Sequence, residues 1–282
     1  MTIFPSICLF VLLFLLFSSS SYGNVLPQDS NLCQESLFVK DVAVIDAAQQ
    51  ANCIWRVQTD ENYILVFTLQ SGDGNSEQAQ DFVDIHDGLD EYSPILLLEN
   101  QKVHKVSGKH FPSQALYSTH SMAIVRFKKT PTSPLRLKIQ KAVDCPLNLD
   151  SNSECGRVVD EVSCYCITNT TRDHASQMTY CNDNQMKLLA VETRSKETAI
   201  YAAWGTTTVF WTSGSDSANE GIWVWESTNA TLPCPGYANW ANLQPDNAGN
   251  NEDCLALNWR SVEGWNDYPC SNLYQAICEA HP

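Results

Sequence analysis

Gln244-Pro245-Asp246-Asn247, then Glu252-Asp253-Cys254, then Gly264-Trp265-Asn266-Asp267 with Cys270 close behind, is the stretch that decides the reading of this chain. It brings carboxylates, carboxamides and main-chain carbonyls together from neighbouring points of the sequence. Those are the ligands of a hard cation such as Ca²⁺, which takes 6–8 oxygens and disfavours nitrogen and sulfur. Gln244 and Asp246 flank a proline, and a cis X–Pro bond would aim both side chains at one point. Glu252 adds a second carboxylate from the same loop. Asn266 and Asp267 return from a neighbouring strand, where Asp267 can also lend its main-chain carbonyl. Five side chains leave coordination positions open. Two adjacent sugar hydroxyls fit there, touching the metal and hydrogen-bonding to its ligands, so metal and sugar affinities are expected to be coupled.

A loop rich in Asn, Asp, Gln and Gly ahead of a cysteine is often no more than polar surface, and neither Gln-Pro-Asp nor Trp-Asn-Asp means much alone. The argument for a metal is their joint order, with Glu252 between them and Cys254 and Cys270 bracketing the second half.

The rest of the chain suits an exported protein. Ile3 to Phe17 is an apolar run without acid or base, followed by Ser18 to Ser21 and Tyr22-Gly23, which reads as a secretory signal over residues 1–23. The run is shorter than the about 20 apolar residues of a membrane span, and no later segment competes. Asn169-Thr170-Thr171 and Asn229-Ala230-Thr231 are glycosylation acceptors, which need a surface position. After Gly23 about 259 residues remain, enough for two domains with cores of their own. A net charge of −15 argues against nucleic acid or an anionic membrane as partner and favours a cation site. Of the 12 cysteines, Cys8 leaves with the signal, Cys33 and Cys53 stand alone in the first half, and nine follow from Cys145 onward. That density is the mark of an exported disulfide scaffold, and the odd total leaves one thiol over.

From Leu32 to Ala142 the pattern is one of short strands. Tyr63-Ile64-Leu65-Val66-Phe67 and Met122 to Phe127 are β-branched and aromatic runs, and Phe82-Val83-Asp84-Ile85-His86-Asp87-Gly88 alternates before an Asp-Gly turn. An all-β sandwich is expected. Cys33…Cys53-Ile54-Trp55, Asp81 to Gly88 and Ser118 to Phe127 together resemble a CUB domain over residues 32–142. The resemblance implies a bond between Cys33 and Cys53, while the second disulfide of that family is missing. Some CUB domains bind Ca²⁺ through a Glu and two Asp residues; here Asp81 stands at one such place, Gln70 lies near the Glu, and the last loop reads Lys128-Lys129-Thr130. Basic residues there argue against a metal, which leaves this module to protein contact or spacing. His86, His104, His110 and His120 show no metal-ligand spacing.

After a boundary near Val143-Asp144, residues 145–281 open with a small hairpin. Thr171 or Asp173 can cap a helix over His174 to Asn182, and a second helix is expected over Ser195 to Ala203. The strands Val209 to Trp211 and Ile222 to Trp225 lead into a stretch of little periodicity, Ser227 to Asn251. Loops of that length are usually functional, and this one carries the oxygen ligands.

Ser163-Cys164-Tyr165, Cys181, Leu188-Leu189-Ala190, Phe210 to Asp216, Glu220-Gly221, Trp223-Val224-Trp225, Asn239-Trp240, Gln244-Pro245-Asp246, Glu252-Asp253-Cys254, Trp265-Asn266-Asp267, Cys270 and Ile277-Cys278-Glu279, in that order, resemble a C-type lectin domain, an α+β fold with a long irregular Ca²⁺-binding loop. The resemblance implies disulfides Cys181–Cys278 and Cys254–Cys270, and a hairpin bridge Cys155–Cys164 as in longer members; Cys145, Cys166 and Cys234 remain, of which two can pair. It also implies Gln244, Asp246, Glu252, Asn266 and Asp267 as the Ca²⁺ and carbohydrate ligands. An auxiliary Ca²⁺ of some members corresponds here to Asp216, Glu220, Glu252 and Asp253, with Asn247 where an acid is common, so a weaker or empty second site is expected. Gln-Pro-Asp marks galactose-type members, because the order of amide and carboxylate sets which hydroxyl pair is met with complementary hydrogen bonds. The aromatic that often follows the motif is absent. Trp259 is the candidate substitute, although a tryptophan there is more often core or plain surface. Trp211, Trp223, Trp225, Trp240 and Trp265 read as core aromatics.

The expected function is that of a secreted, Ca²⁺-dependent glycan-binding protein, with innate defence as a role the resemblance suggests. The alternative is a protein-binding or adhesion module on the same fold with structural or no calcium. Catalysis is disfavoured, since no Ser/His/Asp or Cys/His set stands out and the acids are committed to a metal.

Overall fold

The computed structural model describes residues 34–46, 53–71, 83–97, 115–128, 135–146, 149–150, 153–232 and 236–282. The expected signal segment 1–23 and Cys33, Asp81, His104, His110 and Cys234 lie outside the described residues.

The N-terminal half is all-β. Its strands are β1 Gln34–Phe38, β2 Val42–Asp46, β3 Ile54–Gln58, β4 Tyr63–Ser71, β5 Val83–His86, β6 Leu116–Tyr117, β7 Met122–Phe127 and β8 Leu135–Val143. They form two four-stranded sheets, ordered β1-β3-β7-β5 and β2-β8-β4-β6. All pairs are antiparallel except β1 with β3. The β-branched and aromatic runs supply a single core that includes Val57, Leu65, Phe67, Ile85, Val125, Phe127, Leu137 and Ile139. Cys53 is disulfide-bonded. His86 is buried and its Nδ1 meets the Ser93 carbonyl at 2.9 Å, which explains a lone histidine without a metal.

The C-terminal half is α+β. Its elements are β9 Glu154–Gly156, β10 Cys164–Ile167, helix α1 His174–Asp183, β11 Lys187–Leu188, helix α2 Arg194–Trp204, β12 Phe210–Ser215, β13 Val224–Trp225, β14 Ala230–Thr231, β15 Cys254–Leu257, β16 Trp265–Tyr268 and β17 Gln275–Ala280. Asp173 caps α1 by accepting the Ser176 N–H at 2.7 Å, and that hydrogen bond holds its carboxyl below the ordinary range. Thr193 caps α2 through the Lys196 N–H. One sheet runs β14-β13-β12-β17-β10-β9, with β11 on β17 and the β15–β16 hairpin on β12.

Two bridges sit where the family pairing implies, Cys181–Cys278 and Cys254–Cys270. The expected Cys155–Cys164 bridge is not formed: Cys155 bonds Cys166 and Cys164 bonds Cys145. Strand register is the reason. In the β9–β10 ladder Cys155 lies directly opposite Cys166, with a Cα separation of 4.0 Å, which leaves Cys164 to reach Cys145 just past β8.

The two halves also touch. The Val143 N–H donates to the Val162 carbonyl at 3.0 Å, and the Tyr117 hydroxyl donates to the Glu161 carbonyl at 3.1 Å. Buried Arg157 donates to the carbonyls of Val143, Val162 and Ser163 and stacks on the Tyr117 ring. Around them Ile64, Val66, Ala115 and Ala142 form a small core with Val162 packed against it.

Candidate functional site

The chain between β14 and β15 supplies one arm of the site and β16 the other. The first arm folds on itself. The Gln244–Pro245 peptide is cis, and Asn247, Gly249 and Asn250 all have positive φ. Asn and Gly tolerate that region best, which suits Asn247, Gly249 and Asn250 to a stretch that carries no aromatic. Its tip is closed by side chains: Glu252 accepts the Ala248 N–H at 2.9 Å, and Asn247 Oδ1 accepts the Glu252 N–H at 3.1 Å.

Asp267 joins the arms. Fully buried on β16, it accepts the Asp246 N–H at 3.2 Å on one oxygen and the Asn247 N–H at 2.7 Å on the other. Each of Asp246, Glu252 and Asp267 thereby offers a carboxylate oxygen within 4.8 Å of the others, the only such group among the described residues. Among the described residues no basic side chain pairs with any of the three. Burial pushes the Glu252 carboxyl above its ordinary range, and the charges of Asp267 and Asp246 push the same way.

The amides of the predicted set add oxygen donors. Gln244 Oε1 and Asn266 Oδ1 are buried oxygens without a hydrogen-bond partner, although such atoms are nearly always satisfied. A cluster of mutually repelling acids, with orphaned carbonyl oxygens on Gln244 and Asn266 close in sequence to two of its members, has the donor chemistry of an oxygen-seeking divalent cation. The Asp267 carbonyl accepts a hydrogen bond from the Asn266 amide, so it is engaged within the strand.

The auxiliary set is not gathered in the same way. Asp216 is buried with Oδ2 on the Gly221 N–H at 2.8 Å and Oδ1 orphaned, and its carboxyl is raised by burial and then by Glu220 and Asp253. Glu220 is exposed, and Asn247 is occupied by the Glu252 N–H. Trp259 lies in a tight turn beyond Leu257, stacked by Arg260, whereas Glu252 precedes the start of the same hairpin. Asn169 and Asn229 are both exposed.

Residues 170–280 match the family model of the lectin C-type domain. The chain is 32% identical to perlucin of Haliotis laevigata over 140 residues, 48% of this chain and 82% of that protein. The chain belongs to the C-type lectin family. The similarity extends to salivary C-type lectin 2 of Aedes albopictus, at 29% identity over 44% of this chain and 88% of that protein. Among solved structures, the human scavenger receptor C-type lectin carbohydrate-recognition domain is 27% identical and covers 46% of this chain and 100% of that one, with a TM-score of 0.40. C-type lectins of this kind bind carbohydrate without enzymatic chemistry, and this one is not an enzyme.

Behind the site of this C-type lectin lies a residue that the motifs did not point to. Glu197 on α2 is buried, and its carboxylate accepts from four side chains: Tyr201 Oη at 2.7 Å, Trp265 Nε1 at 2.7 Å, Asn239 Nδ2 at 3.0 Å and the Tyr237 hydroxyl. The signal was in the sequence. Glu197 shares a helical face with Ile200 and Tyr201, and an acid in an apolar stripe needs internal partners. Of the expected core tryptophans, Trp223, Trp225, Trp240 and Trp265 pack there, with Trp265 edge-on to Trp225, Trp240 and Tyr237, whereas Trp211 packs against His174, Tyr268 and Tyr274.

Proposed function

We propose that this C-type lectin is a secreted, Ca²⁺-dependent glycan-binding protein. Gln244, Asp246, Glu252, Asn266 and Asp267 would hold the ion. Bound there, Ca²⁺ supplies open coordination positions to two adjacent sugar hydroxyls, which the same side chains meet with hydrogen bonds. The observation that carries this reading is the trio of carboxylates within 4.8 Å, without a basic partner among the described residues, together with the orphaned oxygens of Gln244 and Asn266, close in sequence to Asp246 and Asp267. The Gln-Pro-Asp order favours a galactose-type glycan.

In the same reading residues 1–23 are a signal peptide, 32–142 a CUB-like module that contacts a protein partner or acts as spacer, and 145–281 the lectin domain. Asn169 and Asn229 carry glycans, and recognition of foreign or self sugars in defence is the role. Asp216, Glu220, Asn247 and Asp253 form at most a weaker auxiliary Ca²⁺ position.

A glycan array run in millimolar Ca²⁺ and again in chelator tests the reading. Retention of galactose-terminated glycans, lost in chelator and lost in Asp246→Ala, is the expected result. Binding that survives both treatments would sink it, and a protein that binds Ca²⁺ but no glycan would favour an adhesion module on this fold.

A further inference from the structure

The two arms of the Ca²⁺ set come from chain segments that do not share a regular strand ladder, so something must hold them in register. One direct link is Asp267 itself, through the Asp246 and Asn247 amides. The other runs behind the site and through α2.

Trp265 precedes Asn266 and Asp267. Its N–H donates to the Asn239 carbonyl at 2.8 Å and its carbonyl accepts from the Ala241 N–H at 2.9 Å. Gln244 follows at once, its N–H on the Ala241 carbonyl at 3.0 Å. The segment 239–244 is thus laid along the start of β16 immediately before both arms reach the ligands. Glu197 closes this joint from below. One carboxylate oxygen takes the Trp265 indole from the β16 arm, and the other takes Tyr237 and Asn239 from the loop arm. Tyr201, one turn along α2, donates to Glu197 and accepts the Gly264 N–H at 3.1 Å, fixing the residue before Trp265. Burial and the Glu197 carboxylate push the Tyr201 and Tyr237 hydroxyls up, so both remain donors.

A buried carboxylate without a cationic partner is an expensive way to fill a core. Among the described residues no Lys, Arg or His pairs with Glu197. Four directed donors compensate it, and two of them come from the loop arm. A methyl-bearing residue at this position would fill space but remove the side-chain link of the loop arm, leaving the backbone bonds of Asn239 and Ala241 to Trp265.

We infer that Glu197 is a positioning residue for the cation site: its four-donor carboxylate fastens the Tyr237–Asn239 arm to the Trp265 arm and so sets the spacing of Gln244 and Asp246 against Asn266 and Asp267. The inference rests on the Ca²⁺ reading above. It also assigns the tyrosine at 237 and the amide at 239 a task in metal binding, although neither reaches the ligand cluster.

The test compares the full chain with Glu197→Gln, Tyr237→Phe and a control, Ile200→Ala, by Ca²⁺ titration of tryptophan fluorescence and by thermal melting in chelator. Ile200 is buried on the same helix in the apolar core and offers no polar atom, so its truncation weakens α2 while leaving the four donors and their carboxylate in place. Glu197→Gln replaces one of the two accepting oxygens with an NH₂ group, so either the Trp265 and Tyr201 donors or the Tyr237 and Asn239 donors lose their acceptor. It is expected to weaken Ca²⁺ binding about tenfold or more, as loss of groups that orient metal ligands does. Tyr237→Phe weakens it less, and Ile200→Ala melts at lower temperature yet keeps the natural affinity. In chelator, hydrogen exchange of residues 236–251 should quicken in Glu197→Gln and not in Ile200→Ala. If the natural chain binds Ca²⁺ and Glu197→Gln binds as tightly, or Ile200→Ala loses as much, the inference is overturned and the function stands. If the natural chain takes up no Ca²⁺, both are overturned.

Discussion

Asp246 and Asp267 belong to one cluster but are fastened differently. Asp246 is exposed and its side chain faces the site, whereas Asp267 is buried and anchors two loop amides. Asp246→Ala should therefore abolish Ca²⁺ uptake while changing stability by less than about 0.5 kcal/mol. Asp267→Ala should abolish uptake and also lower stability by about 1–3 kcal/mol, because two amides lose their acceptor. Calcium titration and chelator-phase melting of both variants separate the two effects. The buried pair of Lys196 and Glu279, at 2.6 Å, adds a pH-dependent contribution to the stability of the same domain. Burial raises the Glu279 carboxyl, but the His281 hydrogen bond and the charges of Lys196 and His281 outweigh it, and the net shift is downward. A depressed folded value means that the pair stabilises the protein above the ordinary glutamate range and that this is lost as pH falls below it. Lys196→Met removes one partner and leaves Glu279 with the His281 ring and the Ala190 N–H, and should cost about 1–3 kcal/mol at neutral pH. Its deficit should shrink on acidification, since Glu279 without Lys196 takes a proton more readily; melting curves across the acid range check this.

At the scale of elements, the helices, the β15–β16 hairpin and the irregular loop carry local signals: a cap before α1, a cysteine at each end of the hairpin, and Asn and Gly where φ turns positive, while the Thr193 cap of α2 emerges only in the structure. The ligand candidates were legible for the same reason, being grouped along the sequence. Pairings across distance were not. The Cys145–Cys164 bridge depends on where β9 meets β10, and the ring of donors around Glu197 spans residues 201 to 265, a grouping that no motif encodes. Gly264 illustrates the close packing that results. With φ of +132°, and with a Cβ there only 3.2 Å from Ala241, Gly264→Ala should press the loop away from β16 and weaken Ca²⁺ binding and stability together. The bridge Cys181–Cys278 closes 97 residues and ties α1 to β17. Chain-entropy reasoning assigns a loop of that size about 4.7 kcal/mol, so Cys181→Ala with Cys278→Ala should melt far below the natural chain.

For the molecule as a whole, a ligand that binds only the folded state raises its stability by mass action. If the site takes Ca²⁺, the melting temperature of the C-terminal half should climb with Ca²⁺ concentration and fall back in chelator. Asp246→Ala should remove that climb. The junction at Val143 has a different bearing on how the protein works. Strand β8 runs to Val143, whose own N–H and carbonyl are gripped by Val162 and Arg157, so the described structure has no slack tether there. A flexible hinge would let each half search for its own target and would set avidity by reach. Here the bonds at Val143 clamp the end of β8 to the opening of the lectin half, so the reach between the halves at this point is set by those contacts and not by a loose tether.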